Sequence, residues 1–310
     1  MRKTVSKKAE LTNQDKVLFP KTGITKGDIV AYYRKIASVM LVYMKNRAVT
    51  LLRYPDGITH EGFYQKDASD YFPVWIKRVC VKKRELGGEE AHKAGAYNNY
   101  VVCNDARTLV YLANLACLTP HLWLSKIDKL DYPDRMIFDL DPGSKTDFRT
   151  VCATALKLKK LLEAIGLAPF VMTTGSRGLH VTVPIKRTKD FDYVRALARD
   201  IADSLAQDDP DSLTTEIRLN KRKGRLFIDS GRNSFAATAV APYAVRPHPG
   251  APVAAPVTWA ELKNKKLTSQ SFTIKNIFNR IKRVGDVWTG MQRSARSMSG
   301  ARKKFDKLFQ

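Results

Sequence analysis

The stretch Asp131-Tyr132-Pro133-Asp134-Arg135-Met136-Ile137-Phe138-Asp139-Leu140-Asp141-Pro142-Gly143 decides how the rest of the chain is read. Met136 to Leu140 is a short apolar run closed by Pro142 and Gly143, the pattern of a buried strand entering a turn. Side chains alternate faces along a strand, so Asp139 and Asp141 point the same way, roughly 7 Å apart at the backbone. Two carboxylates on one face repel, and each raises the other's pKa unless a cation lies between them. Hard divalent ions such as Mg2+ and Mn2+ take carboxylate oxygens, and two of them about 3.5–4 Å apart commonly clamp phosphoryl transfer. By itself, Asp-x-Asp-Pro-Gly is equally a turn, because Asp, Pro and Gly are all turn formers.

Two further stretches weigh on that choice. Residues 169–185 read as a strand, a Gly175-Ser176-Arg177-Gly178 turn and a second strand. Leu179, Val181, Val183 and Ile185 share the apolar face, which leaves His180 and Thr182 on the other. A lone strand histidine is more often structural, but this one follows a turn whose N–H groups and Arg177 guanidinium suit phosphate oxygens. Arg225-Leu226-Phe227-Ile228-Asp229-Ser230-Gly231-Arg232-Asn233 repeats the first design: an apolar strand, an Asp at its end, then a glycine. Asp229 is thus a third candidate metal ligand, with Arg232 a cation beside it for a triphosphate.

Together, Phe138-Asp-Leu-Asp-Pro-Gly143, Thr174-Gly-Ser-Arg-Gly-Leu-His-Val181 and Phe227-Ile-Asp-Ser-Gly-Arg-Asn233 resemble the three motifs of the archaeo-eukaryotic primase superfamily. More narrowly they are similar to the polymerase domain of the bacterial DNA ligase D proteins of non-homologous end joining. The likeness also takes in Leu11–Pro20, Gly62–Lys66 and Val240–Arg246, and so runs from about residue 11 to about residue 288.

Composition agrees with a polyanion-binding enzyme. The 310 residues are 44% hydrophobic and 27% charged, enough for a large core in one or two domains. A formal charge of +24 favours nucleic acid as partner. A membrane is the rival, but no apolar run approaches the roughly 20 residues of a spanning helix, and the N-terminus does not read as a secretory signal. Cys80, Cys103, Cys117 and Cys152 include no Cys-x-x-Cys pair and read as reduced core thiols of a cytoplasmic protein, expected at the prokaryotic nucleoid.

In chain order, residues 1–10 are expected to be a basic disordered N-terminus. Residues 11–290 form a single catalytic domain, with a DNA-end-binding part at about 11–130 and a catalytic core at about 131–250. Residues 291–310 are expected to be a mobile basic tail. Leu11 to Pro20 is an extended arm. A helix starts at Lys26, with Thr25 and Asp28 as a capping box and Ile29, Tyr32, Tyr33, Ile36, Met40 and Tyr43 on a packing stripe. Unpaired N–H groups at such a helix start suit a phosphate. The resemblance implies that Asn13, Lys16 and Lys26 recognise the 5′-phosphate of the downstream strand. It also implies that Phe63 and Tyr64, a Phe-Phe pair in the family, contact the template by stacking.

Residues 82–98 form a polar loop with no defensible chemistry. Ala106 to Cys117 reads as a helix ended by Thr119-Pro120, and the resemblance alone places His121 near nucleotide and metals. Amphipathic helices are expected over Phe148–Ile165 and Phe191–Leu205, a basic hairpin loop over 217–225, a helix restarting at Thr258, and a short helix over Ile274–Ile281. Strand, helix, strand, strand, helix, strand from Met136 to Asp229 suits a split βαβ sheet. The fold class is therefore α+β: a primase-polymerase fold with an RRM-like antiparallel or mixed sheet core, flanking helices and an N-terminal α/β portion. Asp139, Asp141, His180 and Asp229 would gather on its open face.

The activity this implies is template-directed nucleotidyl transfer. Asp139, Asp141 and Asp229 would hold two Mn2+ or Mg2+ ions, while His121, Thr174, Ser176, Arg177, His180, Arg232 and Arg246 would bind the nucleoside triphosphate. The resemblance further implies a preference for Mn2+ and for ribonucleotides. Its implied partners are gapped or 3′-overhang DNA ends with a 5′-phosphate, a Ku-type end-binding protein, an ATP-dependent ligase, and a second copy bridged through DNA. No Lys-x-Asp-Gly motif occurs, so ligation is not expected within this chain. A de novo primase, or a catalytically silent DNA-end-bridging module, are the other readings.

Overall fold

A computed structural model describes residues 10–83 and 97–309. Nearly all of the expected disordered N-terminus and most of the 82–98 loop lie outside the described residues. The chain opens with β1 (Val17–Phe19), β2 (Ile24–Thr25), α1 (Lys26–Met44), β3 (Ala48–Arg53), β4 (Phe63–Gln65), β5 (Arg78–Lys82), β6 (Tyr97–Val102), α2 (Ala106–Asn114) and β7 (Cys117–Trp123). It continues through β8 (Arg135–Asp141), α3 (Phe148–Ala164), β9 (Phe170–Thr173), β10 (Leu179–Pro184), α4 (Phe191–Asp208), β11 (Leu213–Thr214) and β12 (Leu226–Asp229). β13 (Thr238–Val240), β14 (Ala255–Val257), α5 (Ile277–Val284) and α6 (Met298–Leu308) follow.

Two sheets result. One runs β13-β7-β3-β6-β5, with β4 on β3; the other runs β11-β12-β8-β10-β9-β14. The second is the expected split βαβ arrangement, antiparallel except where β11 pairs β12. Its helices cover one face because their apolar stripes match the strand alternation. Val151, Ala155, Leu158 and Leu162 of α3, and Val194, Leu197 and Ile201 of α4, bury Phe138, Leu140, Val181 and Val183. That packing turns Asp139 and His180 to the opposite face. In the other half α1 is the core helix, and Tyr32, Tyr33 and Tyr43 of its stripe are all buried.

Several local expectations need correction. The helix from Ala106 stops at Asn114, and Cys117–Trp123 is a buried strand that contains Pro120. Proline usually argues against a central strand, but here Pro120 is tied in through its carbonyl, which accepts from Ala241 N at 3.0 Å. Residues 217–225 are not a hairpin, since the flanking strands β11 and β12 run parallel. The Thr258–Glu261 box forms but starts only a short 3-10 turn, Glu261–Lys263, and the following helix is Ile277–Val284. Cys80 is exposed, whereas the other three thiols are buried. The C-terminal residues are not a free tail: Met298, Ala301 and Phe305 of α6 enter the core beneath α3 and α4. Their spacing of three and four puts one apolar stripe on an otherwise basic helix.

A buried ion pair joins the two halves. Arg47, just before β3, sets its guanidinium 2.6 Å from Asp134, just before β8, and both side chains are nearly inaccessible. Arg135 lies 3.5 Å from the same carboxylate. Burial pushes the Asp134 carboxyl up, but Arg47 and Arg135 outweigh it and hold it down at about 2. A depressed carboxyl stabilises the fold above its unfolded pKa of about 3.9, and that stability drains away as pH falls toward about 2. Asp134→Asn leaves two buried guanidiniums uncompensated; denaturant unfolding at pH 7 is expected to show a loss of about 3–5 kcal/mol. The loss should shrink as pH falls from 4 toward 2, and equal parent and variant stability at pH 7 would contradict this assignment.

Candidate active site

The register of the second sheet builds the centre of the site. His180 of β10 and Asp229 of β12 both lie directly across from Asp139 of β8, so three strands deliver one row of titratable side chains. Asp141 stands two residues along, on the same face. Gly178 permits the close approach of the Ser176 turn: a Cβ there would sit 1.9 Å from the Leu140 carbonyl oxygen.

Each carboxylate is met by a guanidinium, and Asp139 by an imidazole as well. Asp139 has His180 Nε2 at 3.3 Å and Arg232 at 3.5 Å. Asp229 has Arg232 Nε at 3.3 Å and accepts from Gly231 N at 2.7 Å. Asp141 has Arg177 at 2.9 Å and Arg222 at 3.6 Å. Burial raises the Asp139 carboxyl, yet His180, Arg232 and Arg246 together bring it down to about 2, so it stays ionised. The Asp229 carboxyl is raised, by burial first and by the neighbouring Asp139 charge, against the pull of Arg232. Two like charges side by side are thus pushed apart in proton affinity.

The other sheet supplies the opposite wall. His121 comes from β7, and burial, then Arg246 and Arg232, push its pKa well below the usual range, leaving a neutral imidazole. Tyr64 of β4 meets it edge-on at 5.5 Å between centroids. Between these walls lies a cleft of about 210 Å3, which includes Tyr64, His121, Asp139, Asp141, Thr174, Ser176, Arg177, His180, Arg232 and Arg246. That is smaller than the roughly 300 Å3 at which ligand pockets begin, since arginine side chains lie over the carboxylates. His121 Nε2, His180 Nδ1 and Arg246 Nε are buried without a hydrogen-bonding partner among the described residues. Such orphans at one cleft are unsatisfied capacity for a ligand.

Thr174 lines the cleft, but its hydroxyl is taken by the turn, accepting from Ser176 N and Gly178 N and donating to the Gly178 carbonyl. Arg222 was hidden inside a basic run and is identified only by its approach to Asp141. Tyr64, expected at the template, lines the cleft beside His121. Phe63, under the Arg53 guanidinium at 5.2 Å, remains 46% exposed and free to stack on a base.

The Asn13, Lys16 and Lys26 group lies at the start of α1. The expectation of free helix N–H groups there does not hold: Lys26 N donates to the Lys16 carbonyl, Gly27 N to that of Gln14, and Asp28 N to Thr25 Oγ1. Lys26 is buried, its ammonium on Thr12 Oγ1 (3.3 Å) and the Asn114 carbonyl (3.2 Å). Lys16 is half exposed and paired with Asp56 at 2.9 Å. Burial, then the charge of Lys16, lowers the Lys26 pKa. Asn114, which also accepts from Thr12 N at 3.0 Å, organises the arm and carried no motif signal.

A family model described as the LigD primase-polymerase domain matches residues 25–288. The chain belongs to this family. It is 33% identical over 282 residues to the multifunctional non-homologous end joining protein LigD of Mycolicibacterium smegmatis, covering 90% of this chain and 35% of that protein. It is 31% identical to the bifunctional LigD protein of Bacillus subtilis, covering 91% and 44%. The chain therefore spans well under half the length of these relatives. The solved polymerase domain of Mycobacterium tuberculosis ligase D, in complex with DNA, superposes with a TM-score of 0.83 at 31% identity, over 93% of this chain and 99% of that one. As a LigD primase-polymerase domain the chain is a polymerase-type nucleotidyltransferase, with nucleotides as substrates and divalent metal in its chemistry.

The donor set fits such an ion, being three hard carboxylates on one face. Among the described residues no three His, Cys, Asp or Glu side chains yet converge tightly enough to hold one, because the carboxylates turn to the guanidiniums. A metal ion held by these carboxylates would compete with arginine for the same oxygens. Arg177→Ala with Arg222→Ala is expected to tighten Mn2+ binding without nucleotide by about two- to fivefold, while weakening triphosphate binding. Electron paramagnetic resonance of free Mn2+ reads the first effect and nucleotide titration the second; the same direction in both would refute the competition.

Proposed function

We propose that this domain extends and fills gaps at DNA double-strand-break ends during non-homologous end joining, copying a template with a preference for ribonucleotides. The observation that carries this reading is the Asp229–Asp139–His180 row, with Asp141 alongside, faced by Arg177, Arg222, Arg232 and Arg246. Acidic metal ligands ringed by guanidiniums suit a reaction that attacks a polyanionic triphosphate. Asp139, Asp141 and Asp229 hold the divalent ions. When bound, two Mn2+ or Mg2+ ions supply Lewis acidity to the primer 3′-hydroxyl and to the leaving pyrophosphate. Arg232 and Arg246 orient the triphosphate, and Arg177 exchanges its carboxylate for a phosphate as the nucleotide enters. The buried neutral His121 and the Tyr64 hydroxyl offer uncharged hydrogen bonds on the opposite wall, where a ribose hydroxyl is accommodated.

At the other end of the DNA, Lys16 and Lys26, with Asn13 on the arm, bind a downstream 5′-phosphate, Lys16 exchanging Asp56 for it. Phe63 stacks on the template strand. A Ku-type end-binding protein and an ATP-dependent ligase complete the repair, with two copies bridged through the DNA they hold, at the prokaryotic nucleoid. Among the described residues no helix is long and apolar enough to cross a membrane.

Extension of a labelled primer on a gapped duplex with a 5′-phosphate, in Mn2+, tests the catalytic reading. Ribonucleotides should be added faster than deoxynucleotides, and Asp139→Ala plus Asp141→Ala should slow extension on the order of a thousandfold. A folded parent that binds the duplex and extends nothing would favour the silent bridging module. Gapped-duplex affinity with and without the 5′-phosphate tests the second site. Lys16→Ala should erase about fivefold or more of the preference for the phosphorylated end, and a parent indifferent to the phosphate would remove the claim.

A further inference from the structure

Ser176 is the cleft residue whose backbone is held on every side. Its carbonyl accepts from Ser269 Oγ at 2.6 Å and Gln270 Nε2 at 2.9 Å, and its N–H donates to Thr174 Oγ1 at 3.3 Å. The preceding Gly175 has φ +66°, and a Cβ there would come within 2.7 Å of Arg246 Cγ and 2.8 Å of the Val253 backbone. The turn is thus pressed against the 246–253 loop. From that loop His248, which is not itself in the cleft lining, places Nε2 2.9 Å from the Ser176 hydroxyl oxygen. With the hydroxyl oxygen beside that nitrogen, the direction of the hydroxyl proton decides what Ser176 presents to the cleft.

That proton has two uses. Donated to the imidazole, it leaves only lone pairs facing the cleft; if the imidazole donates instead, the proton is free for a phosphate oxygen. We propose that His248 is a positioning residue for the nucleotide triphosphate: its Nε2–H donates to Ser176 Oγ and so directs the Ser176 proton into the cleft. The inference rests on the nucleotidyl-transfer reading above and adds to it a residue outside the cleft. The charged groups facing the ring are Arg246, from its own loop, and Arg177, from the turn; the other contacts, Ser269 and Gln270, are neutral and reach Ser176 itself. Burial, then these two guanidiniums, lower the His248 pKa, so the ring acts through its tautomer and not through a charge. A triphosphate selects the donating tautomer because phosphate oxygens accept and never donate.

A double-mutant cycle separates this role from mere packing. ATP binding in Mn2+ is titrated for the parent, Ser176→Ala, His248→Ala and the double variant, with gapped-duplex affinity of the His248 variant as the check on structure. Each single change should weaken ATP binding about fivefold, and the double variant should be no weaker than Ser176→Ala alone. Losses that multiply in the double variant, or a His248→Ala within about twofold of the parent, would overturn the proposal. If His248→Ala also weakens duplex binding, His248→Phe keeps the ring's bulk without its nitrogens and takes its place in the same cycle. A parent that binds duplex but no ATP would instead defeat the nucleotidyl-transfer reading, a result the cycle distinguishes from failure of His248 alone.

Discussion

The ionised Asp139 carboxylate, four-fifths buried at the middle strand of a sheet, is the charge around which the molecule is arranged. A carboxylate in that position is tolerable only if hydrogen-bond donors and cations come to it. His180 arrives from one neighbouring strand, Arg232 follows the strand on the other side, and Arg246 reaches in from the loop after β13. The α3 and α4 stripes fix which face β8 presents, and Asn233 pins the turn carrying Arg232 by bonds to both the N–H and the carbonyl of Ile137.

The same charge explains the state of the cleft. Guanidiniums neutralise carboxylates that would otherwise repel. Orphaned nitrogens on His121, His180 and Arg246 mark what is left unsatisfied.

The arm at the start of α1 follows the opposite logic. Its backbone donors are fully used by the arm's own carbonyls and by the Thr25–Asp28 box, so the helix end contributes position and not N–H groups. Of its two ammonium groups, that of Lys16 faces solvent beside Asp56, while that of Lys26 is buried against Thr12 and Asn114. The arm belongs to the half built around α1, and the Arg47–Asp134 pair ties that half to β8 of the catalytic sheet.

The sequence by itself determined the split βαβ core, because a period of two on Met136–Leu140 and Leu179–Ile185 and of 3.6 on the two helices leaves one consistent packing. With that packing the face of Asp139, Asp141, His180 and Asp229 follows. Tertiary structure alone decided the rest. Pro120 hid a central strand, and so the wall that brings His121 and Tyr64 to the cleft. Arg222 was one cation in a basic run until the parallel β11–β12 connection aimed it at Asp141. His248 sat in a proline- and alanine-rich loop with no periodicity to read, and its contact with Ser176 spans 72 residues. The basic C-terminus looked solvated because one stripe of three apolar residues is a weak signal until a groove beneath α3 and α4 receives it. Local pattern fixes which face a residue takes on its own element; which distant residue meets it there is settled only when the elements pack.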